Sequence, residues 1–163
     1  MLSLSIKPIQ LDLHQDICVS FREDAFIASF GDSKRFHEDD RKGKERYIDW
    51  LKGKSSQDPY SVVHVWRADK IIGQIEMGKH RGDPSCGYIN LYYLIPSERG
   101  QGLGKFLDDH AMAYFKSQQL LRARLSVAHH NDQAIAFYEK MQWRNLGQRE
   151  DDPSAMLMEK SVT

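Results

Sequence analysis

"RGQGLGK", residues 99–105, sets three glycines at alternate positions between an apolar run that stops at Pro96 and a stretch of helical periodicity. A P-loop needs GxxxxGK followed by Ser or Thr, whose hydroxyl goes to magnesium. Here Arg99 stands where the first glycine belongs, and Phe106 follows Lys105. A dinucleotide fingerprint needs GxGxxG, whereas Gly100, Gly102 and Gly104 are spaced GxGxG with no series of βα units around them. What both motifs share survives: a strand enters a glycine-rich turn that opens a helix, so unpaired backbone N–H groups and the helix dipole converge where an anion could sit. A tight turn with no ligand would use the same glycines.

Downstream of the glycines, residues 103–119 repeat apolar side chains at Leu103, Phe106, Leu107, Ala111, Tyr114 and Phe115, which predicts a helix packed on a sheet. "ARLSVA" (123–128) reads as a short strand. "NDQAIAFYEKM" (131–141) reads as a helix capped by Asn131, with Ala134, Ile135, Phe137, Tyr138 and Met141 at helical intervals. Residues 143–160 read as a closing hairpin. Upstream, "GYINLYYLIP" (87–96) is apolar on both faces, which predicts a central strand covered on both sides. "YSVVHVWRADKIIGQIEMG" (60–78) holds two β-branched runs around a polar turn, the pattern of an antiparallel hairpin. Before it, residues 14–31 predict a helix ending at Gly31, residues 32–44 a charged loop, and residues 45–53 a second helix ending at Gly53. The order is two helices, three strands, helix, strand, helix, two strands.

The chain of 163 residues carries 23 basic and 23 acidic side chains, so no global field draws it to nucleic acid or an anionic membrane. No apolar run reaches the length of a membrane span, and the N-terminal stretch lacks a signal peptide's apolar core, which makes a cytoplasmic protein the expectation. Cys18 and Cys86 have neither CxxC spacing nor a histidine cluster, so both read as reduced and structural, and no metal site is expected. Without a repeat or linker, residues 1–163 read as one domain.

Two motifs in order then identify a likeness. Arg99, Gly102 and Gly104 match the acyl-CoA signature of the GCN5-related N-acetyltransferase family, and Asn131, Ala134, Phe137, Tyr138 and Trp143 match its next signature, with Gln142 in place of the usual glycine. The chain resembles that family over about residues 45–160. The resemblance implies an α/β fold of the mixed α+β kind: a mostly antiparallel sheet of about six to seven strands, splayed between the fourth and fifth, with about four helices. It implies acetyl-CoA as cofactor. The pantetheine arm would lie in the splay along the backbone of Tyr92, Tyr93 and Leu94, with one N–H stabilising the thioester oxygen. The diphosphate would lie on the N–H groups of Gly100, Gln101, Gly102, Leu103, Gly104 and Lys105 after Arg99, with Asn131 and Phe137 also at the cofactor.

By spacing alone Tyr138 reads as a core aromatic of an amphipathic helix; its place seven residues after Asn131 matches the family's general acid. The family's bases are missing from their usual places, since Ser126 and Tyr88 stand there. Glu76, an acid within a strand, is the candidate base, against a reading as an acid on a wet face of an antiparallel sheet. His129 and His130 as a relay, or a water chain held by Asn90 and Tyr92, are alternatives. Tyr88, Tyr92, Tyr93 and Trp66 could line an acceptor pocket or belong to the core, and residues 32–46 could be a lid or a solvated connection. The expected activity is direct acetyl transfer to a primary amine of a small molecule or peptide. A non-catalytic acyl-CoA sensor, and a protein N-terminal or lysine acetyltransferase, stand as alternatives. Dimers are common in the family, so a homodimer is part of the expectation.

Overall fold

The computed structural model describes residues 3–37 and 42–162. The chain runs through β1 (Leu4–Pro8), α1 (Leu11–Phe30), α2 (Gly43–Gln57), β2 (Val62–Arg67), β3 (Lys70–His80), β4 (Asp83–Leu94), α3 (Leu103–Ser117), β5 (Arg122–Ala128), α4 (Asp132–Lys140), β6 (Arg144–Gln148) and β7 (Ala155–Ser161). The strands form a seven-stranded sheet in the order β1-β2-β3-β4-β5-β7-β6. Strands β4 and β5 pair in parallel, and β1–β2, β2–β3, β5–β7 and β6–β7 are antiparallel. A mixed α/β fold with four α-helices was the expectation, and the central place of β4 was legible in its apolar run. The chain divides into two compact units, Met1–Glu76 with Tyr93–Glu98, and Met77–Tyr92 with Arg99–Thr163.

In the first unit, β1 pairs with β2 from Leu4↔Arg67 to Pro8↔Val63. The sequence reading placed no strand here. Five residues at a sheet edge carry little periodicity, and the ladder to β2 supplies what local propensity does not. Helix α1 turns Cys18, Val19 and Phe21 inward and ends at Gly31, whose φ of 84° is left-handed and whose N–H bonds the Ile27 carbonyl at 2.8 Å. Helix α2 runs beyond Gly53, the expected terminator, to Gln57. Pro59 forces the stop instead: Asp58 before it is extended (φ −154°, ψ 105°) and caps the next turn by accepting from the Tyr60 N–H at 2.9 Å. A 3-10 turn at Lys34–His37 occupies part of the charged loop; residues 38–41 of that loop lie outside the described residues. Ile9, Cys18, Val19, Phe36, Tyr47, Ile48, Leu51 and Val62 form the core.

In the second unit, β5 lies between β4 and β7. Helix α3 buries Leu107, Ala111 and Phe115, and a Cβ on Gly87 would come within 2.6 Å of the Phe115 ring, so β4 has glycine where the helix crosses closest. On β4, Cys86, Gly87, Ile89, Leu91 and Tyr93 are buried while Tyr88, Asn90, Tyr92 and Leu94 are only half-buried. The expectation that both faces are covered is thus corrected: one face is left partly open.

Candidate active site

The parallel pairing of β4 and β5 runs from Cys86↔Arg122 to Ile89↔Leu125 and stops, although β4 continues to Leu94 and β5 to Ala128. Strand β5 goes on pairing with β7 as far as Ala128↔Ala155. The two strands therefore separate beyond Ile89, where the ladder between them ends. This is the splay that the family resemblance implied.

The glycines follow on the same side of the sequence. Gly100 (φ 74°) and Gly102 (φ 83°) are left-handed, and a Cβ at either would meet nothing within 4 Å, so backbone conformation and not crowding selects glycine there. Gly102 caps α3 without a side-chain acceptor, which leaves the first-turn N–H groups and the positive helix end open. Gly104 has another purpose: its Cβ would lie 2.6 Å from the Phe137 ring, so it lets α3 and α4 approach. Arg99, Gly100, Gln101, Gly102 and Lys105 are exposed and Leu103 is half-buried. The Lys105 ammonium pairs with Asp109 at 2.6 Å one turn along the helix, so its backbone N–H is what it offers the loop. Exposed left-handed glycines, uncapped N–H groups and a helix dipole fit the diphosphate of coenzyme A.

Next to the splay stands a buried acid that sequence reading missed. Asp108 is fully buried in α3; one carboxylate oxygen accepts from Tyr92 Oη and Trp143 Nε1, both at 3.0 Å, and the other from Lys160 Nζ at 2.6 Å. The half-buried Tyr138 ring lies 6.4 Å from that of Tyr92 and 6.1 Å from that of Trp143. Its hydroxyl has no hydrogen-bond partner among the described residues. Burial, then the Asp108 charge, pushes the phenol pKa of both Tyr138 and Tyr92 above the ordinary value, so each stays protonated near neutrality. Asn131 Oδ1 accepts from the Ala134 N–H at 3.2 Å and caps α4. At the other end Gln142, in the position of the family's glycine, takes φ 72°, and the Trp143 N–H reaches the Tyr138 carbonyl at 2.9 Å.

The two positions where a base was sought face each other. Tyr88 Oη and Ser126 Oγ are 2.8 Å apart, and Arg149 donates to Ser126 Oγ at 3.2 Å. His129 and His130 are exposed, with rings 5.5 Å apart.

Glu76 belongs to the first unit and is fully buried, so the wet-face reading is corrected. Its Oε2 accepts from Tyr47 Oη and, at 2.7 Å, from Gln74 Nε2; its Oε1 lies 3.4 Å from Arg22 Nη1. Gln74 Nε2 also reaches Tyr47 Oη at 2.9 Å, while Gln74 Oε1 lies 2.9 Å from His64 Nε2. Burial holds the His64 pKa down to about 4 and pushes the Cys18 thiol up to about 12, so Cys18 is a structural thiol. Tyr93 is buried, stacked on Phe21 at 4.6 Å with its hydroxyl donating to Asp24 at 2.6 Å, and Leu94 is half-buried. Trp66, with Lys7 Nζ 5.1 Å from its ring centre, is half-buried.

Residues 19–143 match the acetyltransferase (GNAT) family. The chain is 27% identical over 104 residues, 54% of its length and 69% of the relative's, to N-alpha-acetyltransferase 30 of Schizosaccharomyces pombe. Among solved structures it superposes on PaiA N-acetyltransferase from Thermoplasma acidophilum in complex with coenzyme A (TM-score 0.77, 20% identity, 98% of this chain and 99% of that one). It also superposes on spermidine N-acetyltransferase from Vibrio cholerae in complex with CoA and spermine (TM-score 0.74, 15% identity, 98% and 95%). With the family matched over most of its length, the chain belongs to the acetyltransferase (GNAT) family, and acetyl-CoA is the cofactor that goes with that membership.

Proposed function

We propose that the chain is an N-acetyltransferase that moves an acetyl group from acetyl-CoA directly to a primary amine of a small molecule or peptide. The observation that carries this reading is the ending of β4–β5 pairing at Ile89↔Leu125 in the same unit as a left-handed glycine loop that opens an uncapped helix. Acetyl-CoA supplies the acetyl group as an activated thioester. Backbone N–H groups of residues 100–105 hold the diphosphate, and β4 at Tyr92, Tyr93 and Leu94, beyond the end of its ladder with β5, takes the pantetheine. A β4 N–H stabilises negative charge on the carbonyl oxygen. Asn131 and Phe137 fix the near end of α4 at the cofactor. Tyr138 donates its proton to the departing sulfur, which a phenol kept protonated by burial and a neighbouring carboxylate can do. Glu76 receives the proton of the amine.

The family match spans both compact units, which supports residues 1–163 as one acetyltransferase domain. No helix among the described residues is long and apolar enough to cross a membrane, and we place the protein in the cytoplasm. A homodimer is part of the proposal. A second reading, an acyl-CoA sensor without turnover, is favoured by the Tyr88–Ser126 pair at the positions of the missing carboxylates.

Calorimetric titration tests the cofactor site, with CoA and ATP as controls. Saturable binding of acetyl-CoA at one site per chain, with ATP much weaker, is expected. Binding without thiol release toward any amine or peptide would favour the sensor, and absence of binding by folded protein would refute both.

A further inference from the structure

Helix α3 buries one acid beside its apolar stripe, wholly within the second unit. Asp108 is closed off from solvent and holds three donors: Tyr92 Oη and Trp143 Nε1 on one oxygen, each at 3.0 Å, and Lys160 Nζ on the other at 2.6 Å. A buried ion pair adds little stability over apolar side chains of the same volume, so packing alone does not account for this one.

The donors do account for it. Tyr92 and Trp143 are also the rings beside Tyr138, with centres 6.4 Å and 6.1 Å from its own. The Trp143 backbone N–H donates to the Tyr138 carbonyl at 2.9 Å, so this residue is tied to Tyr138 through its backbone and to Asp108 through its indole. Two neighbouring phenols thus differ in state. The Tyr92 proton is committed to Asp108, whereas the Tyr138 hydroxyl has no partner among the described residues. Burial, then the Asp108 charge, keeps Tyr138 protonated. Of the other charged groups near the two phenols in this unit, Asp109 is exposed and paired with Lys105, and Glu139 and Lys140 of α4 are exposed.

We infer that Asp108 is a positioning residue for acetyl transfer: one of its oxygens fixes the two rings beside Tyr138 and occupies the Tyr92 hydroxyl, so that Tyr138 is the phenol that gives up a proton. The inference rests on the reading of Tyr138 as the acid. In that step the Tyr138 O–H bond breaks and an S–H bond forms on CoA, and the phenolate then takes a proton back from water. The Asp108 charge favours that return, because it opposes a second negative charge beside it.

A double-variant cycle on the full chain tests it, with Asp108→Asn, Tyr138→Phe and the two combined. Thiol release from acetyl-CoA is followed with ethanolamine, spermidine and a peptide with a free N-terminus, and acetyl-CoA binding by calorimetry. Asp108→Asn should lower kcat by about tenfold or more and leave acetyl-CoA affinity within about threefold of the parent. Added to Tyr138→Phe, it should cost less than about threefold further, because both act through one proton. Asp108→Asn/Lys160→Met removes the ion pair as a unit, leaves no lone charge buried, and should show the same fall in kcat should the single variant not fold. In NMR of isotope-labelled tyrosine rings, with Tyr92 and Tyr138 assigned by their Phe variants, Asp108→Asn should move those two resonances and leave the other tyrosines in place. Parent kcat in either folded Asp108 variant would overturn the inference, and so would losses that multiply in the cycle, which place Asp108 outside the path of the proton. Tyr138→Phe as fast as the parent would remove the acid and this inference together. If no acceptor is turned over, the proposed function fails and the Tyr138 resonance decides: moved by Asp108→Asn, it upholds the positioning of Tyr138, and unmoved, it overturns that as well.

Discussion

Tyr88 Oη and Ser126 Oγ stand 2.8 Å apart, each filling the other's hydrogen-bonding need at the two positions where a carboxylate base was sought. Two hydroxyls linked in this way, with Arg149 alongside, form a poor base at neutral pH. Tyr88→Phe and Ser126→Ala should therefore leave acetyl transfer within about threefold of the parent, whereas Glu76→Gln should lower kcat by about 10² or more, in line with loss of a general base. Steady-state thiol release for the three variants decides it. A loss with Ser126→Ala as large as with Glu76→Gln would move the base to β5.

Tyr138→Phe removes a hydroxyl and leaves the ring packing against Tyr92 and Trp143 in place. Turnover should fall by about 10² to 10⁴ with acetyl-CoA affinity unchanged. Parent-like turnover would remove Tyr138 from the mechanism.

His64 should make stability depend on pH. Its folded pKa, about 4, lies below the ordinary value of 6.5, so the unfolded chain gains a proton first as pH falls. The contribution is fully present above pH 6.5 and is lost between there and about 4, amounting to about 2 kcal/mol between pH 7 and 5. Urea unfolding at the two pH values measures it, and His64→Gln should flatten the difference. A parallel pH dependence in parent and variant would assign it to other groups.

Gln142 occupies a left-handed position at φ 72° after α4, where the family's signature has glycine. Relief of the Cβ clash outweighs the extra freedom that glycine gives the unfolded chain, so Gln142→Gly should stabilise the protein by about 1 kcal/mol. A thermal midpoint raised by a few degrees is the expected result.

How much of this the sequence displayed depends on where each signal lies. The glycine loop and α4 announce themselves locally, through backbone demands and a cap, and so do the hairpins through their β-branched runs. Strand β1 does not, because its pairing partner lies some sixty residues away in the chain. Asp108 sits one position beside the apolar stripe of α3, and in sequence "LDDHA" reads as a wet helix face. Its burial follows from three donors contributed by β4, the turn before β6, and β7, at Tyr92, Trp143 and Lys160. Likewise Glu76 was visible as an unusual acid within a strand, but its partners Tyr47 and Arg22 come from helices whose orientation no local pattern encodes. Polar networks assembled from distant segments are tertiary properties, and spacing rules do not reach them.

The close approach of Gly104 to Phe137 has a mechanical meaning. The first turn of α3 bears on a ring one residue before the proposed acid, so the anion cradle and Tyr138 are linked like two jaws on one pivot. A side chain at residue 104 would therefore push α3 and α4 apart at the point where the proposed anion cradle and the proposed acid adjoin.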